Sequence, residues 1–567
     1  METKNNSKSF SKVILLISIY LSLITYAFAQ ESEIWMQNYR LSKECSGKSL
    51  VETYDQGYLL AGRLKLNSPS FSYLLKVDKN GNKLWQKTIG DKSGNCFALQ
   101  KITTDKNGYI YISSLYDGID GIGDPCIIKL SPCGEKLWSK VFYTKNNYDS
   151  GRDIKIQKNG DILFTMTYTK GPMHDRICVV RISPEGEIIN KIYYARSDSR
   201  IYNEEPFDLI ILEDGKTLMS GYCDIMDTDE ILHLKGFFIC TQENGEVLWE
   251  KVIDKDVMGE LGSWHQYYAS TLSSDGKYLY SAGNRRFAPE ITPNLLKLNL
   301  ETQEYEFYEM QRGFEYGDCR DIELATDSTL IASAGWTRPI SVTERQADKK
   351  SDLRYKKQNA NLSYHRNNVL SQSEVKEKFK RAVLLDTLGN VKKSIGLTSW
   401  FSHTILRTSD NHFLFFTFMH PDEEPEPSAY LYKFDQELNW AKQDLTPTEY
   451  DYYCDQPIQN DTLYMEDYDI ITDLPELEEN KPELSIYPNP VNNLLHIKLP
   501  DYIKVSHSSE LMKITQYNYQ YKRNSSIKIL NLQGVVIYQK NISGEDALRL
   551  DTRSYKTGLY IIQLIEG

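Results

Sequence analysis

The chain contains no HExxH, no GxSxG and no GxxxxGK[ST] sequence. These absences remove the usual zinc-protease helix, the nucleophile elbow and the phosphate-cradling loop. Basic charge is short as well: 66 Lys and Arg stand against 78 Asp and Glu, a formal net charge of −12. A nucleic-acid partner normally requires a basic footprint, so none is expected. The nine cysteines (45, 96, 126, 133, 178, 223, 240, 319 and 454) form no CxxC pair and show no zinc spacing. Cys126 and Cys133 flank one strand-turn and could pair; buried free thiols fit them equally. No apolar run after residue 26 approaches the roughly 20 residues of a membrane-spanning helix. What is present is aromatic: 40 Tyr against only 32 Gly suit pleated β surfaces.

The N-terminus reads as an address. Lys4, Lys8 and Lys12 precede an apolar core over residues 13–26, and Ala27-Phe28-Ala29 is a small-x-small cleavage pattern before Gln30. Residues 1–29 are expected to be a secretory signal peptide, cleaved between Ala29 and Gln30. A retained anchor is the alternative, with a short run for that task. Export would make disulfides permissible.

The remainder is organised by a repeat. Asp55-Gln-Gly57 opens a strand. A variable loop follows, then Tyr73-Leu-Leu-Lys-Val77, a tight Asn80-Gly81 turn and a strand with Trp85. Asn-Gly between apolar runs signals a hairpin, because both residues tolerate positive φ. The opening turn recurs at Asn107-Gly108, Asn159-Gly160, Asp214-Gly215, Asp275-Gly276, Asp327-Ser328 and Asp410-Asn411. Neighbouring copies lie about 50 to 60 residues apart, except across an insertion at residues 338–380. The second half recurs at Gly134/Trp138, Gly186 and Gly245/Trp249. Roughly 50 residues per four-stranded unit is the period of a β-propeller blade.

The fold class is therefore all-β: a seven-bladed propeller over residues 30–450, followed by a small C-terminal β-sandwich. Six or eight blades are compatible with the count, because a strand near Trp35–Tyr39 could close the ring on the last blade. Turns between strands one and two and between three and four are short. Loops between strands two and three are long and share one face. The insertion at 338–380 is basic and poor in apolar residues, either a partner-binding arm or a loop expansion. Residues 451–482 are acidic and carry no repeat signal, as a linker would.

The second-half pattern resembles the Trp-docking repeat of quinoprotein-like propellers at Asp78, Gly81 and Trp85, with one residue fewer between Asp and Gly. The same place in sialidase-like propellers holds an Asp box, whose Ser and spacing are missing here. Residues 483–567 resemble the type A C-terminal sorting domain of the Bacteroidetes type IX secretion system. The carriers are Tyr487-Pro488-Asn489-Pro490, a hairpin at Gln533-Gly534, Leu550-Asp551 before a Tyr, and Gly558-x-Tyr560. This resemblance implies passage across both membranes, contact with the type IX machinery, and display on the outer membrane surface or release. The family pattern continues past the Gly-x-Tyr strand, whereas this chain stops at Gly567.

Candidates for chemistry are sparse. His174, His265, His403 and His420 are isolated. Asp117, Asp120 and Asp124, or Asp224, Asp227 and Asp229, resemble short calcium loops without the terminal Glu. Solvated acidic loops are the simpler reading. Trp264 and Trp336 could stack on a sugar or fill the core, and Trp85, Trp138 and Trp249 should pack between blades. No catalytic, cofactor or metal residue is assigned, and the cofactor is unknown. The leading expectation is a binding module with a glycan or protein ligand on the loop face. The alternative is a carbohydrate-active or lyase-like enzyme, favoured if carboxylates converge at the channel mouth. A quinone-cofactor dehydrogenase is a weaker third, sharing only the packing repeat.

Overall fold

The computed structural model describes residues 35–565 except 42–44, 66–69, 94, 96, 145–146, 170–174, 195–200, 227–231, 254–264, 288–289, 311–316, 337–378, 398–400, 419–428, 473–484, 488–493, 499–524, 532–534, 543–546 and 552–559. Ala29, Gln30 and nearly all of the basic insertion lie outside the described residues.

Seven antiparallel sheets follow one another in the larger unit, which spans residues to 340 and 375–474. The first strands of successive blades are Cys45–Glu52, Phe97–Thr104, Gly151–Ile156, Ile201–Ile211, His265–Leu272, Gly317–Thr326 and Phe401–Arg407. Each touches the first strand of its neighbours, and the last touches the first, so the ring closes. The blade count is seven. Blade 7 takes its outermost strand from the N-terminus: Met36–Tyr39 pairs antiparallel with Ala429–Phe434, Met36 opposite Tyr432. Both faces of the middle strands are buried, as in Ile110–Tyr116 and Asp124–Leu130, which explains their nearly continuous apolar runs.

The recurring Trp packs between blades, as its spacing implies. Trp138 of blade 2 lies on the strand three-to-four turn of blade 3 and donates its indole N–H to Pro184 O at 3.2 Å. A Cβ added at Gly186 of that turn would stand 3.2 Å from the Trp138 ring, and the backbone there has φ +96°. Glycine therefore meets two demands at this position, a left-handed turn and room for the neighbouring indole. Trp35 against Gly81 and Trp85 against Gly134 repeat the arrangement. Trp249 joins a cluster with Leu298 and Tyr305 of blade 5.

The acidic stretch departs from the linker expectation as far as it is described. After Trp440 the chain crosses to the outer edges of blades 1 and 2 and straps them. Thr462–Tyr464 adds a parallel strand to Lys83–Gly90, and Asp469–Ile471 adds one to Lys136–Phe142. Met465 is buried between them. The acidic residues meet a lysine-rich edge: Lys79–Asp444 2.7 Å, Lys87–Asp461 2.6 Å, Lys92–Glu466 2.7 Å and Lys140–Asp469 2.7 Å. Asp451 accepts the Trp85 indole N–H at 3.1 Å, and its own backbone N–H reaches buried Asp55 at 2.9 Å. Cys454 closes a disulfide with Cys133, 321 residues earlier. That pairing replaces the Cys126–Cys133 option; Cys126 is a buried free thiol, as are Cys178, Cys223, Cys240 and Cys319. Composition marks the stretch as distinct, yet its charge and edge pairing make it part of the propeller. Covering strand edges in this way also removes a template for unwanted pairing.

The smaller unit includes residues 475–567. Its described strands form two three-stranded sheets. Ser485–Tyr487, Leu494–Lys498 and Ala547–Asp551 make one; Val536–Ile542, Ser525–Asn531 and Tyr560–Ile565 make the other. Ile527 and Ile529 are buried.

Candidate functional site: the central channel

The first strands line the axis, and each carries a β-bulge at the same level. The register shifts fall at Gly47/Ser49, Leu99/Lys101, Gly151/Ile154, Pro206/Asp208, Tyr267/Ala269, Cys319/Asp321 and Phe401/Thr404. The extra residues are Lys48, Gln100, Phe207, Tyr268, Arg320, one of Arg152 and Asp153 in blade 3 and one of Ser402 and His403 in blade 7. A bulge re-aims a side chain out of the ladder. Here charges carried by separate blades act on one another. Lys48 of blade 1 interacts electrostatically with Arg152 of blade 3 and Arg320 of blade 6, which are not its neighbours in the ring.

In blades 1, 4 and 6 the residue that resumes the ladder after the bulge, and in blade 3 Asp153 within it, staples its blade to the next. Ser49 Oγ accepts from Ile102 N at 3.0 Å, Asp153 Oδ2 from Leu209 N at 2.9 Å, Asp208 Oδ2 from Ser270 N at 2.8 Å and Asp321 Oδ2 from Ile405 N at 2.7 Å. In blades 2 and 5 the equivalent residues are Lys101 and Ala269, which cannot accept. The N–H groups facing them, of Ile154 and Ile322, bond instead to their own Asp153 Oδ1 and Asp321 Oδ1 at 2.8 and 2.9 Å. A backbone donor left bare by the bulge is thus satisfied at these positions.

Two electrostatic bands result. The upper band holds Lys48, Arg63, Arg152 and Arg320. Arg152 pairs with Glu205 at 2.6 Å, and Glu205 also accepts from Tyr222 at 2.7 Å. Arg320 pairs with Asp318 at 2.7 Å and lies 4.0 Å from the Tyr268 ring centre. Phe207 packs beside Tyr268 and Tyr222, with centroids 5.0 and 5.5 Å away. Burial, then Arg63, Arg152 and Arg320, push Lys48 down to about 7. The second band is acidic, with Asp153, Asp208, Asp321 and Glu323 around Lys155. Lys155 lies 3.5 Å from Asp153 and 4.0 Å from Asp208. Burial opposes its charge, but Asp153 and Asp208 outweigh that and raise it. Burial, then Asp321, raises Glu323 to about 8; burial raises Asp321 to about 6. Toward the tight-turn face the channel widens into a cavity of about 720 Å³ lined by Ser270, Glu323 and Arg407 among others.

Carboxylates therefore do converge at the channel mouth, the arrangement that would favour an enzyme. Asp153, Asp208 and Asp321, however, are each engaged by backbone N–H groups of the next blade. Glu323 is the member whose carboxyl group no hydrogen bond ties down among the described residues.

The other candidates are placed as follows. His265 is buried, accepts from Arg285 Nε at 3.2 Å and is held neutral, pushed down to about 3 by burial and then by Arg285. His174, His420, Trp264, Asp227 and Asp229 lie outside the described residues, as do the side chains of His403 and Trp336. Asp120 accepts from Ile122 N at 3.0 Å, and Asp224 accepts from Asn203 at 3.0 Å. Asp124 is buried, accepts from Thr144 N at 3.1 Å and is raised to about 8 by burial. Among the described residues no group of three or more His, Cys, Asp or Glu is arranged to hold a metal ion. Tyr487, Asp551 and Tyr560 sit at strand ends, opposite His496, Leu494 and Asn531. Pro488, Asn489, Pro490, Gly534 and Gly558 lie outside the described residues.

The bulge residues were missed from sequence although a signal exists. In five blades the bulge residue stands eight positions before the left-handed residue of the next turn: Lys48 and Gln56, Gln100 and Gly108, Arg152 and Gly160, Phe207 and Gly215, Tyr268 and Gly276. The residue types differ so widely that no motif emerges until they are seen as one ring.

Residues 485–567 match the family described as a secretion system C-terminal sorting domain. No curated protein matches the chain. Among solved structures, a protein of unknown function from Bacteroides caccae aligns at 15% identity and TM-score 0.30, over 46% of this chain and 80% of its own. Prolyl oligopeptidase B from Galerina marginata aligns at 10% identity and TM-score 0.40, over 81% of this chain and 55% of its own. The polysaccharide lyase Uly1 aligns at 10% and 0.38, over 69% and 90%. These likenesses are loose, and the propeller assignment rests on the strand pairing above. No helix among the described residues is long and apolar enough to cross a membrane. The C-terminal segment is a type IX secretion sorting domain, and the chain is a β-propeller exported by that route to the cell surface or beyond.

Proposed function

We propose that the propeller is a binding module, exported to act outside the cell without turning its ligand over. The observation that carries this reading is the state of the channel carboxylates. Three of the four serve as inter-blade staples, so within the acidic band no second carboxylate is free beside Glu323 for paired acid–base work, the cavity's further carboxylates Glu213, Asp214 and Asp275 belonging to its tight-turn rim. The ligand, a glycan or a protein, would be met on the loop face and in the channel. Glycan and protein arrays with the purified chain, run beside a panel of hydrolase and lyase substrates, test this. Specific retention without turnover is the expected result; turnover of any substrate overturns it.

One observation favours the enzymatic alternative. Glu323 remains protonated near neutral pH, is open to a cavity, and could act as a proton donor in a hydrolase or lyase. Loss of a detected turnover in Glu323→Gln would be its signature. In the tail, Tyr487, Pro488, Asn489, Pro490, Gly534, Asp551, Gly558 and Tyr560 are proposed as the features read by the secretion machinery. Alanine replacement of Tyr487 and Tyr560 should reduce the surface-exposed or released fraction, measured by cell fractionation; unchanged export would remove them from that role.

A further inference from the structure

We propose that the collar of Lys48, Arg152 and Arg320 in the central channel is a binding site for an oxyanion group: carboxylate, sulfate or phosphate. The argument starts from charge balance. Arg152 and Arg320 have Glu205 and Asp318 as partners, at 2.6 and 2.7 Å. Lys48 has neither an ion pair nor a side-chain hydrogen bond among the described residues; its electrostatic neighbours are Arg63, Arg152 and Arg320. Lys48 therefore adds a third cation to two ion pairs inside the ring of blades, where field lines are focused rather than screened. Enclosing like charges costs stability. An anion bound among them would offset that cost.

The supporting geometry is independent of titration. The collar is set at one level of the ring, because Lys48, Arg152 and Arg320 all fall within the β-bulges of their first strands. Arg320 keeps its head on the Tyr268 ring and on Asp318, and Arg152 is clamped by Glu205, itself held by Tyr222. Two guanidinium groups are therefore fixed in place before any ligand arrives, which lowers the ordering cost of binding. Their side chains remain 15% and 32% exposed, so the site is open to solvent. Fixed guanidinium forks suit planar or tetrahedral oxyanions, and a flexible lysine can close on the remaining oxygen. The ligand could carry its oxyanion on an acidic saccharide or be a free inorganic ion; the chemistry recognised is the same.

This site deepens the binding reading and rests on it. The test is calorimetric titration of the full exported chain with digalacturonate, inorganic sulfate, inorganic phosphate and a neutral disaccharide. At least one anion should bind and the neutral sugar should not, and the anion that binds identifies the source. Lys48→Gln should weaken that anion by about tenfold or more, since an ion–ion contact in an enclosed site is lost. The same variant should melt higher than the wild type without ligand, because a repelling charge has gone. Failure of every anion to bind at about millimolar concentration overturns the proposal. So does undiminished binding by Lys48→Gln, or a lower melting temperature for it. Turnover with intact anion binding would overturn only the non-catalytic reading, and absence of anion binding would leave loop-face binding standing.

Discussion

The Asp208 carboxylate of blade 4 accepts the backbone N–H of Ser270 in blade 5 at 2.8 Å. It stands in the same place as Asp153 to Leu209 and Asp321 to Ile405. The acidic band of the channel is therefore first a set of joints. Asp208→Ala should bare that N–H and take a partner from Lys155, costing about 1–3 kcal/mol. Asp208→Asn, which keeps an acceptor oxygen, should cost less. Denaturant unfolding of both variants gives the comparison; equal losses would mean that charge, and not the staple, matters.

Stability should depend on pH through Glu323. Its folded value, about 8, lies above the ordinary carboxyl range, so the folded state holds a proton that the unfolded chain has released. Stability from this group is complete below the unfolded value, about 4.3, and is lost as pH rises to about 8. The melting temperature of the wild type relative to Glu323→Gln should fall between those limits. A constant difference across the window would contradict the assignment.

The strap should depend on its disulfide. In the chain-entropy picture, a link across 321 residues contributes about 5–6 kcal/mol at most. Cys454→Ser should lower the melting temperature and expose residues 442–472. A glutamate-specific protease acting at Glu449 and Glu466 would report the release. A cleavage pattern like that of the wild type would show that edge pairing and ion pairs hold the strap alone.

At the Trp docking point, Gly186→Ala should destabilise by about 1–2 kcal/mol, since φ is +96° there and the new Cβ meets Trp138. Gly121→Ala, with φ +80° but open space, isolates the backbone part. Thermal unfolding of the pair separates strain from contact with the indole.

Removing residues 475–567 should hold the chain in the periplasm of a host with type IX secretion, because the sorting domain lies there. Fractionation and surface proteolysis would report it. Continued export would contradict the role of the tail.

Much of this was legible in linear order. Turn residues such as Gly108, Gly160 and Gly215 announce hairpins because only a few residue types accept positive φ. Trp85 and Trp138 recur at one place in the repeat and do pack between blades. The Tyr487-to-Tyr560 pattern named the tail. Residues 451–472 misled because acidic composition suits a tether and an electrostatic strap equally; Lys79, Lys87 and Lys140 decide between them, and they lie over 300 residues away. Cys133 and Cys454 could not be matched from spacing for the same reason.

The sequence by itself determined the repeat, and with it the propeller and the route of export, because these depend on local turn chemistry and contiguous motifs. Tertiary structure alone decided the blade count, the disulfide and the channel. Lys48, Arg152 and Arg320 stand more than 270 residues apart at their extremes. Nothing local relates them, because closing a ring brings blades one, three and six to a common axis, and charges that would ignore one another along the chain act on one another there.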